Sequence, residues 1–300
     1  MIQHNDPQNS ERWYAARRGV ITASKAKDAR NRTNGLDKKQ QLYVDAMLRG
    51  QDEAAALLAS GYKSRPTSDL VKRAVARETL PLVWGESAIS YAQDLARERL
   101  GGGLPGNDRE GFAQRTGHEE EPFAAIAYVA KTGVTLDEVG FMTTDDRRFG
   151  VSYDRRIAGV RAAIECKTMV SSSTLFRCIV DGDVSEFRDQ LLFELWIDAL
   201  EWIDLCLWVP DLSVLHVIRI ERDEDKIQAL EDDLVAFNAL VDEHVAKLSA
   251  KLGISPIDGA PADTADDLQV QASTPAVASR RAPTPPLPAS TPTAITSLEF

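Results

Sequence analysis

The chain has 300 residues, of which 43% are hydrophobic, and carries a formal net charge of −11 from 35 Lys/Arg against 46 Asp/Glu. That composition supplies the core of one large domain or two small ones. It excludes a transmembrane helix, which needs about 18 or more consecutive apolar residues, and the start Met1-Ile-Gln-His-Asn-Asp is not a signal peptide. Acidity argues against general affinity for nucleic acid, yet the charge is uneven: residues 1–30 hold Arg12, Arg17, Arg18, Lys25, Lys27 and Arg30 against only Asp6, Glu11 and Asp28.

In chain order, Trp13 to Lys27 reads as a short helix, a break at Gly19, and a second helix opened by Thr22-Ala-Ser24, with Thr22 or Ser24 as N-cap. Residues 38–80 are Ala-rich and helical, with turns near Gly50 and Gly61, and 87–100 is an amphipathic helix ending at Gly101-Gly-Gly103. That glycine run has no following Lys-Ser/Thr and is not a phosphate-cradling loop. A helix over 117–132 stops at Gly133, and strands are predicted at 139–144, 149–154, 161–169, 203–209 and 214–220. Helices at 184–201 and 223–252 flank the last two strands, so the fold class is α/β with a mixed sheet.

From about Ser255 the composition shifts, and eight of the 14 prolines fall in the last 46 residues. This is the signature of a disordered tail, whose Leu298-Glu299-Phe300 tip is either incidental or a docking motif. Cys166, Cys178 and Cys206 lack CxxC spacing and read as free thiols of a reducing cytoplasm. The four histidines are far apart and lack zinc spacing.

The chemistry concentrates in Ser152-Tyr-Asp154 and Ile164-Glu165-Cys166-Lys167. Side chains alternate along a strand, so Glu165 and Lys167 share a face while Cys166 points to the other. A turn over Arg155 to Arg161 would fold the first strand back and set Asp154 beside Glu165. Two carboxylates with an adjacent ammonium make a hard-oxygen site for Mg²⁺ (or Mn²⁺), the equipment for cutting a phosphodiester. Asp, Glu and Lys at this spacing are common, and a solvated hairpin with one salt bridge is the competing reading. The apolar lead-in Ala162-Ala-Ile164 favours a functional pair, because charges rising from an apolar strand need partners.

Further motifs occur in a fixed order: Trp13-Tyr-Ala-Ala-Arg17-Arg-Gly19-Val-Ile-Thr22-Ala-Ser24, Gly117-His-Glu-Glu-Glu121-Pro122, the Asp154 and Glu165-x-Lys167 pair, Gln190 six residues before Trp196, and Ile220-Glu-Arg-Asp-Glu224. The set resembles the lambda exonuclease family, the YqaJ-type viral recombinases within the PD-(D/E)xK nuclease superfamily, over residues 11–29 and about 87–250. The resemblance implies a restriction-endonuclease-like sheet in a domain spanning 1–254. It implies Asp154 and Glu165 as metal ligands, with the Cys166 carbonyl and Glu121 completing the set. Lys167 would orient water and stabilise charge, with Gln190 beside it. Trp13, Arg17 and Ser24 would serve the 5′-phosphate and DNA. The implied activity is Mg²⁺-dependent 5′-to-3′ digestion of one strand of linear duplex DNA. A homotrimer would enclose the DNA and hand the 3′ strand to a single-strand annealing protein, in the cytoplasm of a bacterium carrying phage or prophage genes.

Bland readings stand beside these. Glu119 to Glu121 would also suit a solvated helix N-terminus, and Arg17 an ordinary surface position. Where some family members carry Arg six residues after the motif Lys, this chain has Ser173, with Arg177 the nearby substitute. The segment at about 30–85 is an insertion. Lys39-Gln-Gln-Leu-Tyr43-Val and Gly61-Tyr-Lys63 resemble the helix-turn-helix of phage terminase small subunits, and a plain helical hairpin is the alternative. The other functions that fit are a PD-(D/E)xK endonuclease and a non-catalytic phage DNA-binding or packaging protein.

Overall fold

The apolar runs Ala162-Ala-Ile164 and Ile203 to Val209 build the two central strands of the larger sheet, and the remaining elements are arranged around them. The computed structural model describes residues 1–6, 10–102, 112–255 and 296–298. The helices are α1 (Glu11–Arg17), α2 (Ala26–Ala29), α3 (Lys38–Leu48), α4 (Glu53–Ser60), α5 (Asp69–Val75), α6 (Glu86–Arg99), α7 (Phe112–Thr132), α8 (Ser172–Leu175), α9 (Arg188–Ile197) and α10 (Glu224–Leu252). The strands are β1 (Ile2–His4), β2 (Ile21–Thr22), β3 (Arg32–Thr33), β4 (Val83–Trp84), β5 (Leu136–Asp137), β6 (Phe141–Thr143), β7 (Phe149–Val151), β8 (Arg155–Ile157), β9 (Ala162–Thr168), β10 (Trp202–Val209), β11 (Val214–Glu221) and β12 (Thr296–Leu298).

The fold is α/β with mixed sheets. The larger has the order β12-β11-β10-β9-β8-β5 and a second has the order β1-β6-β7-β2. In the larger sheet β9 and β10 run parallel, whereas β8–β9 and β10–β11 are antiparallel. Parallel neighbours need a long crossover. Here it carries α8, a π-helical turn over Phe176–Val180, and α9.

Helices cover both faces. α2, α6, α9 and α10 form the main core against Ala163, Leu205 and Leu207. The opposite face seats Ala125 and Tyr128 of α7 on Ile157, Ala162, Ile164, Cys206 and Val217. In α10 the buried residues Ile227, Leu230, Leu234, Phe237, Val241 and Val245 recur every three or four positions, one stripe of an amphipathic helix. Asp204 sits fully buried in β10. It is satisfied by two 2.8 Å bonds from Arg219 and a 2.6 Å bond from the Tyr128 hydroxyl.

The inserted segment has its own small core of Tyr43, Val44, Ala46, Ala56, Val71 and Ala74. It enters and leaves through the antiparallel β3–β4 pair, where Thr33 faces Val83. Asp37 and Gln40 close a reciprocal cap at the start of α3, and Asp52 caps α4.

Three expectations change. Residues 149–154 are not one strand: the chain leaves β7 at Val151 and resumes as β8 at Arg155, in the other sheet. The helix predicted over 184–201 is ordered as α9 only over 188–197. Of the tail expected to be disordered, Thr296–Leu298 forms a strand parallel to β11, pairing Ile218 with Thr296 and Ile220 with Leu298. Residues 256–295, Glu299 and Phe300 lie outside the described residues, as does part of the loop from Gly101 to Gly106.

Candidate active site

Asp154 occupies the break between β7 and β8, immediately before the paired stretch in which Arg155 faces Ile164 and Arg156 faces Ala163. One step further in that register would set Asp154 opposite Glu165. The ladder ends at Arg155, but the Glu165 carboxylate acts on Asp154, so the two acids are neighbours, from a bend rather than a strand. The Asp154 carboxylate accepts a 2.6 Å bond from the Cys166 backbone N–H, which fixes it at the strand end.

Alternation along β9 aims Ala163, Glu165 and Lys167 at α9, and Ala162, Ile164 and Cys166 at α7. Glu165 is 3% exposed. Its Oε1 accepts from Lys167 Nζ at 2.6 Å and from Gln190 Nε2 at 2.6 Å. The Gln190 oxygen accepts from Lys167 Nζ at 3.1 Å, and Gln190 Nε2 also donates to Glu194 at 2.8 Å. Glu165 Oε2 is buried with no hydrogen-bond partner.

Burial, and the neighbouring Glu165 and Glu121 carboxylates after it, push Asp154 well above the usual carboxylate range. Burial works against the Lys167 charge, but Glu165 and Asp154 outweigh it, and the ammonium holds its proton more tightly than usual. In this arrangement Lys167 keeps its charge, held by the two carboxylates beside it.

Glu121 projects from α7 and accepts from Arg155 at 2.7 Å, while Glu120 accepts from Trp208 Nε1 at 2.8 Å. These two acids are partnered, so the acidic triplet is more than a solvated helix end. Glu121 is raised by burial, with Arg155 opposing. Among the described residues no three His, Cys, Asp or Glu side chains are drawn together closely enough to hold a metal ion. The donor chemistry nevertheless fits a hard divalent cation: Asp154 and Glu165 are neighbours, one Glu165 oxygen is orphaned, and the crowded carboxylates lack enough positive charge.

The basic N-terminal block reaches the same place. Ser10 caps α1 by accepting from Trp13 N, and Trp13 is buried against Phe141. The Arg17 guanidinium lies 4.3 Å from the Trp13 ring centroid and 5.0 Å from that of Phe141, and donates to Ser152 Oγ at 3.3 Å. Ser152 is two residues before Asp154. β2 runs parallel to β7 with Thr22 beside Gly150, and Thr22 Oγ1 is 3.4 Å from Ser24 Oγ.

Two glycines permit this approach. Gly19 has φ +71°, and a Cβ there would meet Arg99 at 2.8 Å; a Cβ on Gly150 would stand 2.3 Å from the Phe141 ring. The α6 end fastens Gly19 from both sides, through Glu98 to its N–H and Arg99 to its carbonyl. Of the two expected N-caps, Thr22 takes the position without a side-chain capping bond, and Ser24 does not: Ala23–Lys25 is a 3₁₀ turn followed by four residues of α2, too short for a strong dipole. Arg177, the substitute cation, is tied to Glu186 and Asp183. Glu194 and Arg155 were missed in the sequence. A lone acid inside Leu191-Leu-Phe-Glu194-Leu-Trp196 was the available signal for the first.

A cavity of about 620 Å³ lined by Gln3, Asp137, Arg156, Arg161 and Glu201 includes none of the candidate residues.

The YqaJ-like viral recombinase domain matches residues 12–197. The chain belongs to that family. The span of this YqaJ-like domain takes in every candidate residue from Trp13 to Gln190, and leaves out β10, β11 and α10. Among solved structures, the fold is similar to an alkaline exonuclease (LHK-Exo) from Laribacter hongkongensis, with TM-score 0.55 and 22% identity over 81% of this chain and 98% of that one. The complex of LHK-Exo with dAMP matches with TM-score 0.56 and 23% identity over the same shares. No curated protein matches the chain.

Proposed function

We propose that this YqaJ-like chain is a divalent-metal-dependent exonuclease that degrades one strand of linear duplex DNA from its 5′ end. The observation that carries the reading is Asp154 held on the Cys166 N–H beside Glu165, with Lys167 bonded to Glu165 on the same strand face. Asp154, Glu165, the Cys166 carbonyl and Glu121 would hold Mg²⁺ or Mn²⁺, Glu121 after release from Arg155. When bound, the ion supplies Lewis-acid polarisation of the scissile phosphate and a more acidic water.

The chain's own groups do the rest. Lys167, clamped between Glu165 and Gln190, holds the attacking water in line and offsets charge developing on the phosphate. Arg17, lying over the Trp13 and Phe141 rings, presents a planar fork to a terminal 5′-phosphate, and Ser24 adds a hydroxyl. The nuclease reading is supported by the family and by the likeness of fold to an exonuclease. The 5′ polarity, the homotrimer, the annealing partner and the host cytoplasm extend it by resemblance. Among the described residues no helix is long and apolar enough to cross a membrane.

The test is incubation with Mg²⁺ and two linear duplexes, one with and one without 5′-phosphates, beside a closed circle. Gradual resection of the linear molecules alone is the expected result. Cut circles would make the chain an endonuclease, and no cleavage would leave a DNA-binding protein.

A further inference from the structure

Glu194 has no role in the reading so far, and its position is costly. It is fully buried in α9, flanked by Leu191, Leu192, Phe193 and Leu195, which are also buried. Burial and the nearby Glu165 push its carboxyl well above the usual range. One of its oxygens has no hydrogen-bond partner, and the other accepts from Gln190 Nε2. A leucine would fill this site without the desolvation penalty of an acid. The acid therefore contributes something other than packing.

That contribution is visible at Gln190, one helical turn earlier on the same face of α9. A glutamine amide has one acceptor oxygen and two N–H donors. Here the oxygen accepts from Lys167, and the nitrogen donates to Glu165 and to Glu194. Turning the amide over would set its oxygen against two carboxylate oxygens and its NH₂ against an ammonium. Glu194 thus adds a second acceptor beside Glu165 that holds the oxygen end of Gln190 toward Lys167. Lys167 Nζ is then held from two sides.

We propose that Glu194 is a positioning residue that locks the Gln190 amide and, through it, aims the Lys167 ammonium for phosphodiester cleavage. This rests on the nuclease reading of the site. Removing the Glu194 acceptor frees Gln190 to rotate, and a misplacement of about 1 Å at the ammonium costs on the order of a hundredfold in rate.

The experiment compares the full-length chain with Glu194→Leu and Glu194→Gln. Leucine keeps the volume and loses the acceptor, whereas glutamine keeps an acceptor oxygen. Single-turnover cleavage at saturating DNA should fall about ten- to hundredfold in Glu194→Leu, with DNA affinity in Ca²⁺ unchanged. Glu194→Gln should recover most of the rate. A second readout is the Gln190 side-chain amide signal in NMR, with Gln190→Ala for assignment. Its protection from solvent exchange should be lost in Glu194→Leu and kept in Glu194→Gln. Wild-type rates in both variants overturn the proposal. So does a loss of rate that follows melting temperature equally in both, and so does an amide signal that ignores the substitution. If Glu194→Leu does not fold, the amide signal and rate of Glu194→Gln against wild type decide: a freed amide, or a rate fallen as far as Lys167→Ala, overturns it. A wild-type chain that cleaves nothing sinks the nuclease reading instead, and the amide signal then decides whether Glu194 orients Gln190.

Discussion

The carboxylate–lysine cluster and the helical insert are built on opposite plans. The cluster joins side chains from α7, the β7–β8 bend, β9 and α9, separated by up to 34 positions at one hydrogen bond (Arg155 to Glu121). Its members are polar and bonded to one another, with Glu165 and Glu194 buried and the others half-buried. The insert is held by apolar contacts among α3, α4 and α5, which are consecutive in sequence, and it closes on itself through β3 and β4. Low-dielectric polar networks fail when one member is removed, whereas a locally folded element can be altered with consequences confined to itself.

The sharpest way to break this comparison is to remove a carboxylate. Asp154→Ala or Glu165→Ala should lower cleavage by about a thousandfold or more, because each deletes transition-state charge stabilisation of several kcal/mol. Duplex DNA affinity should change little. Near-normal turnover in either variant would end the metal-site assignment. Next in size is Arg17→Ala, which loses a charge-assisted contact of roughly 1.5–3 kcal/mol. Resection of 5′-phosphorylated ends should fall about ten- to hundredfold, and the gap to unphosphorylated ends should narrow. An equal loss on both ends would make Arg17 a general backbone contact.

A smaller effect tests the electrostatics without substrate. Asp154, Glu194 and Glu121 are all raised, each chiefly by burial. Between the ordinary carboxylate range and those raised values the folded chain binds more protons than the unfolded one, so stability falls as pH rises. Lys167 stays protonated in both states below its ordinary value and adds no slope there. Melting temperature in chelator should therefore decline from about pH 5 to pH 8, and Asp154→Asn should flatten the decline. A wild-type curve as flat as the mutant's would show that the carboxylates are not coupled. The smallest effect belongs to the insert. Joining Thr33 to Val83 by an Asn-Gly turn, which suits a two-residue hairpin, should leave a folded chain with the cleavage rate within about threefold of the parent. Loss of folding would show that the insert's contacts are not confined to itself.

Much of this plan was legible in the sequence. β9, β10, β11, α6 and α10 are long and strongly patterned, and their predicted limits lie within a few residues of the observed ones. The Asp154–Glu165 pairing was also legible, since strand alternation and a short turn determine it. The break at Ser152–Asp154 was not: Phe149 to Tyr153 alternates as a continuous strand would, and only the switch of Val151 and Arg155 to different sheets reveals the bend. Glu194 was hidden because its meaning depends on Gln190 and Glu165, and Arg155 because its partner Glu121 lies 34 positions away. The two- and three-residue pairings at β1, β5 and β12 carry too little pattern to be read at all.

Those short pairings have a consequence of their own. β1 covers one border of the four-stranded sheet and β12 one border of the six-stranded sheet. An uncovered border offers a row of free N–H and C=O groups to any extended chain that arrives. At three residues each, β1 and β12 guard those borders by leaving little free edge of their own. A chain shortened at Ser255 would keep its carboxylates and lose the guard on β11. Its weakness should appear as concentration-dependent self-association, visible by light scattering, before any change in cleavage is seen.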